Sequence, residues 1–101
     1  MEIERQEDGN KGVYVLVGND ITEPADLTYT KLGNSSIIID HTGVPSIYRG
    51  QGFGAKLVER AVEDARKDNK KIIPLCPFAA AQFKRHPEWA DVLNQSAMTK
   101  N

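Results

Sequence analysis

Polar and apolar positions divide the 101-residue chain into two regimes. From Glu2 to Gln6 the pattern alternates, Asp8-Gly9-Asn10 supplies turn chemistry, and Val13-Tyr14-Val15-Leu16-Val17 is a β-branched run of strand length. This predicts a hairpin. After Gly18-Asn19-Asp20, Ala25, Leu27 and Tyr29 fall on one side of a third strand and Asp26, Thr28 and Thr30 on the other. Gly33-Asn34 predicts a tight turn. The unbroken Ile37-Ile38-Ile39 then reads as a central fourth strand covered on both faces.

The period changes after Pro45. Beyond the glycine-rich Gly50-Gln51-Gly52-Phe53-Gly54, the residues Leu57, Val58, Ala61, Val62 and Ala65 recur at helical spacing and predict a helix from about Gly52 to Lys67. Ile72 to Cys76 is a short apolar strand whose Pro74 implies an irregular position. A helix between two strands makes them parallel, in a right-handed β-α-β unit. Pro77 to Arg85 reads as a second helix, with proline in its first turn, and Pro87 to Leu93 as a short third one with Trp89 and Leu93 turned inward. Residues 96–101 are expected to fray. The fold class is therefore α/β in the α+β sense: an antiparallel meander, a β-α-β crossover and C-terminal helices, in one unit spanning 1–101.

Composition narrows the function. Thirteen Lys+Arg against fourteen Asp+Glu give a net charge of −1, which argues against a chain built to grip nucleic acid or an anionic membrane. Any anion site has to be local. There is no secretory start and no span-length apolar run, so the expected location is cytoplasmic. The lone Cys76 has no partner for a disulfide, and two histidines distant from it predict no metal site.

The glycine bend is the local anion candidate. It stands where a strand and loop give way to a helix, whose first N–H groups have no intrahelical partner and lie at the positive end of the macrodipole. Gly50-x-Gly52-x-x-Ala55 formally satisfies a dinucleotide fingerprint, but no acidic residue follows the next strand. A Walker loop fails because Ala55-Lys56-Leu57 replaces Gly-Lys-Ser/Thr. Arg49, Gly52 and Gly54 do fill the pattern Arg/Gln-x-x-Gly-x-Gly/Ala, and this resembles the acyl-CoA pyrophosphate loop of the GNAT superfamily of N-acetyltransferases.

The order of strands, Asp40 to Val44, Arg49 to Gly54, helix and Ile72 to Cys76 is similar to very small GNAT-like proteins over almost the whole chain. The resemblance implies a GNAT-like acyl-CoA N-acyltransferase fold, with the fourth and fifth strands splayed. It also implies acetyl-CoA as cosubstrate and an amine acceptor of small-molecule or peptide type, while the charge balance already predicts no nucleic-acid or membrane partner. Carried over, Thr42, Gly43 and Val44 would face the pantetheine, and Arg49, Gly50, Gln51, Gly52, Phe53 and Gly54 would hold the pyrophosphate. Lys84 is the helix charge expected to reach the nucleotide end, ahead of Lys56 and Arg85, while Phe78 and Phe83 read as core.

Full-length members carry a helical pair between the first two strands, where this chain has only a turn. Many also carry a tyrosine acid on the helix after the fifth strand, where this chain has Cys76 just before Pro77. A helix N-terminus lowers a thiol pKa, and a thiolate can take an acetyl group from a thioester. Alternation places His41 with Ile37 and Ile39, near Cys76 across a parallel pair, and Asp40 on the other face. The candidate chemistry is a Cys76–His41 dyad; the alternative is an acyl-CoA-binding or interaction module without efficient turnover.

Overall fold

The computed structural model describes residues 2–94; the expected frayed tail at 96–101 lies outside the described residues. Five strands form one sheet in the order β1-β2-β3-β4-β5. They span Glu2–Asp8, Lys11–Val17, Ala25–Leu32, Ser36–Gly43 and Lys71–Pro74. The first four are antiparallel neighbours and β5 runs parallel to β4. Helix α1 covers Phe53–Lys67 and α2 Pro77–Arg85; short 3-10 turns occupy Ser46–Tyr48 and Pro87–Val92.

The helices bury one face of the sheet. Tyr14, Leu16, Ala25, Leu27, Tyr29, Ile37, Ile39 and Ile72 point into a core closed by Leu57, Val58, Ala61 and Val62 of α1 and by Ala79 and Phe83 of α2. Val13, Val15, Val17, Ile38 and Ile73, on the opposite face, are only half-buried. The expectation for β4 is thus corrected twice. Its isoleucine run is covered on one side only, and the middle strand is β3. The run lacks alternation because Ile38 and Ile73 shield each other as lateral neighbours on the open face.

Polar groups fasten α1 to the meander. The Tyr14 hydroxyl donates to Asp64 of α1 at 2.8 Å, and the Arg5 guanidinium lies over both the Tyr14 and Tyr29 rings while its Nε donates to the Tyr29 hydroxyl at 2.9 Å. Tyr29 in turn donates to Glu7, which also pairs with Lys31 at 2.8 Å. Gly12 makes the arrangement possible, since a Cβ there would stand 2.1 Å from Cζ of Tyr29. At the C-terminal end, Trp89 packs edge-on against Phe83 and is stacked by His86, while Leu93 forms a parallel bridge to Ile72.

Gly12→Ala should therefore destabilise the fold by about 1–3 kcal/mol through overpacking, read as a lower denaturant midpoint with unchanged slope. Glu7 gives a pH signature. Its bonds from Lys31 and Tyr29, against the opposing effect of burial, lower its pKa from 4.5 to about 2. A depressed carboxylate pKa contributes stability that is present above 4.5 and lost as pH falls through about 2. Across that window the urea midpoint should fall more steeply in the wild type than in Glu7→Gln.

Candidate functional site

Two local breaks in regular structure make the site. The first is the parting of β4 and β5. Their last register pair is Ile39 with Pro74, yet β4 continues to Gly43. Pro74 has no N–H to donate, the Leu75 N–H turns back to Ile73 O at 3.1 Å, and the Cys76 N–H reaches Ile39 O at 3.2 Å. Beyond that bond the chain enters α2, so the Asp40–Gly43 edge has no β5 partner. The splay expected between the fourth and fifth strands is present.

The second break is a β-bulge. Tyr29 pairs with Ile39 but Thr28 pairs with His41, leaving Asp40 as an extra residue. The bulge resets the alternation that follows. Thr42, opposite the buried Leu27, joins the core side, while His41 and Gly43 join Thr28 and Asp26 on the open face. A Cβ built on Gly43 would lie 3.0 Å from Asp26 Oδ1 and 3.1 Å from His41 Nε2, which confirms the side they share. His41 is exposed. The expected proximity of His41 to Cys76 is accordingly not found: the neighbour of Cys76 is Thr42, with Sγ 3.6 Å from Oγ1. Asp40 accepts a hydrogen bond from Thr30 at 2.7 Å.

Cys76 is the N-cap residue of α2 and is 7% exposed. Burial alone would raise its thiol pKa, but N–H groups of Ala79, Phe78 and Thr42 and the Thr42 hydroxyl face the sulfur, and the net direction is down. No side-chain cap hydrogen bond closes at this helix end, so the Ala79 and Phe78 amides act on the sulfur as dipoles. The thiol donates to Thr42 when protonated, and the hydroxyl can rotate to donate to a thiolate.

The N-terminus of α1 lies beside this notch. Its cap, Gly52, has φ +78° and no side chain, the first turn holds no acidic residue, and the first helical bond runs from Lys56 N to Gly52 O. The N–H groups of Gly52, Phe53, Gly54 and Ala55 are left without acceptors among the described residues, as is that of Gly50, while Gln51 N–H is taken by Tyr48 O. Gly50 also has positive φ, +87°, and a Cβ at Gly50 or Gly52 would meet nothing within 4 Å. Glycine is needed here for backbone conformation, and the space it leaves is open to a ligand. Gly54 differs: a Cβ there would press on Phe78 at 2.8 Å, so this glycine lets α2 close against α1.

These amides border a cavity of about 360 Å³, open to solvent, that runs from Thr42 and Val44 past Arg49, Gly50 and Gly52–Ala55 to Phe78, Gln82 and Arg85. No Asp or Glu lines it, and Arg49 and Arg85 make no ion pair among the described residues. The cavity is therefore a local positive site within a chain of net charge −1. Donor amides, two free cations and absent side chains together fit a diphosphate.

Of the residues singled out from sequence, Thr42, Val44, Arg49, Gly50, Gly52, Phe53 and Gly54 line this cavity. Gln51 borders a separate hollow with Asn19 and Tyr48, Gly43 and His41 face the open side of the sheet, and Lys84 is exposed and outside the lining. Cys76 sits behind Thr42 rather than in the wall. Two wall residues, Gln82 and Phe78, escaped a functional reading. Their i, i+4 spacing, with Arg85 at i+7, was the available signal.

Thr42→Val should raise the Cys76 pKa by removing the hydroxyl that favours the thiolate. Ultraviolet thiolate absorbance followed against pH measures this, with a wild-type midpoint below that of an ordinary thiol and the variant's nearer to it.

Residues 13–92 match the family model for the GCN5-related N-acetyl-transferase. Among solved structures, the chain is similar to the NMR solution structure of a GCN5-like protein from Staphylococcus aureus proposed to be an N-acetyltransferase. The two are 37% identical with a TM-score of 0.68, over 89% of this chain and 86% of that one.

Proposed function

Because the chain belongs to the GCN5-related N-acetyltransferase family, we propose that it binds acetyl-CoA in the cavity at the α1 N-terminus and transfers the acetyl group to an amine. The single observation that carries this reading is the uncapped run of N–H groups from Gly52 to Ala55 beside Arg49 and Arg85, which form no ion pair among the described residues. Those amides and Arg49 would hold the diphosphate, and the unpaired Thr42–Val44 edge would border the pantetheine arm. Arg85, which faces the cavity, replaces Lys84 as the α2 cation for the nucleotide end. Acetyl-CoA supplies an acetyl group already activated as a thioester.

Cys76 is the proposed acyl carrier. Its thiolate attacks the thioester carbonyl, the C–S bond to coenzyme A breaks, and coenzyme A leaves as a thiolate that takes up a proton. The amine then attacks acetyl-Cys76, loses its proton to a base, and releases the Cys76 sulfur. His41 is exposed on the open face and turned away from the sulfur by the bulge, so the base role is not assigned to it and the amine's proton goes to solvent.

A second reading has its own support. Cys76 does not line the cavity, α2 holds no tyrosine, and a two-residue turn joins β1 to β2 where larger relatives carry helices. These features favour an acyl-CoA-binding or interaction module without efficient turnover.

Isothermal titration with CoA should give saturable binding that weakens by about 100-fold or more in Gly52→Glu, where a carboxylate enters the anion site. No heat with the wild type, or equal affinity in both, would remove the reading. Intact mass after mixing with acetyl-CoA should show one added acetyl on the wild type and none on Cys76→Ala. Turnover that survives Cys76→Ala would mean direct attack by the amine, and tight binding without thiol release across an amine panel would favour the binding module.

A further inference from the structure

The wall that α2 gives the cavity contains a polar side chain with no partner among the described residues. Gln82 is 6% exposed, flanked on the helix by the buried Phe83 and one turn from the buried Ala79. Its carboxamide makes no hydrogen bond among the described residues. No described side-chain nitrogen or oxygen is both sealed from solvent and unpaired, so the small exposure that Gln82 keeps opens into the cavity it lines. An apolar residue would fill this place equally well as packing, so the amide is the feature to be explained.

We propose that the Gln82 carboxamide is a positioning residue that pairs with an amide of the pantetheine arm and so selects CoA thioesters over ligands offering only a nucleotide diphosphate. This rests on the CoA reading of the cavity. A carboxamide presents one donor and one acceptor edge, the complement of a secondary amide, and it carries no charge to favour phosphate. The spacing agrees. Gln82 is six residues past Cys76, about 9 Å along the helix axis at 1.5 Å per residue. In an extended arm, the nitrogen of the second amide is seven bonds from the sulfur, again about 9 Å by backbone-like bond geometry. Arg49 and the α1 amides supply the diphosphate contacts from α1 and its loop, and Arg85, one turn beyond Gln82 on α2, faces the nucleotide end.

The test compares CoA with ADP, which has the diphosphate but no arm, by NMR titration of the full chain carrying Gln82→Met or, as a second shape, Gln82→Leu. The expected result is a CoA affinity lower by about 10-fold in both variants and an ADP affinity within twofold of the wild type. The melting temperature of the free protein should hold or rise, because an unpaired buried amide is gone; a structural glutamine would lower it. Unchanged CoA affinity, or equal losses for CoA and ADP, would overturn the proposal while leaving the cavity reading in place. A wild type that binds ADP but not CoA, or neither, would overturn both.

Discussion

The proposed function depends on a helix end left chemically open. Four successive N–H groups, Gly52 to Ala55, have no acceptor among the described residues, and no serine, threonine or aspartate caps them. Helices normally satisfy such groups with a side chain worth about 1 kcal/mol. Here the cap is a glycine in the left-handed region, and the space around its missing Cβ is empty. The positive end of α1 is thereby aimed at a cavity with two cations and no carboxylate, and an anion is the group that completes it.

The notch beside it arises from equally local causes. A proline without an N–H ends β5, so the next bond to β4 is made by Cys76, and the strands part at that residue. The bulge at Asp40 then decides which side chain meets the sulfur. Without it, His41 would face inward; with it, Thr42 does, and a hydroxyl rather than an imidazole modulates the thiol. Helix α1, which carries the open end, packs on β2 and β3 and is tied through Asp64 to Tyr14 of β2 and Arg5 of β1.

Most of this was legible in the sequence. Alternation located β1 to β3, the spacing of Leu57, Val58, Ala61, Val62 and Ala65 located α1, and the glycines marked the open helix end because backbone chemistry follows directly from residue type. The failures share a cause. Alternation assigns His41 to the face of Ile37 and Ile39 only if the strand is regular, and a one-residue bulge has no signature in Ile39-Asp40-His41-Thr42. The isoleucine triplet looked doubly covered because apolar residues can also shield one another across an open sheet face. Gln82 went unread, and Lys84 was ranked ahead of Arg85, because choosing among the positions of α2 requires its rotation about its axis, which Phe78 against Gly54 sets.

The most direct measurement is a nitrogen-15 correlation spectrum of the protein titrated with coenzyme A. The account predicts that the backbone amides of Gly50 and Gly52 to Ala55 show the largest shifts and move together along one saturable curve. Shifts centred elsewhere, with these amides unmoved at saturating ligand, would contradict it.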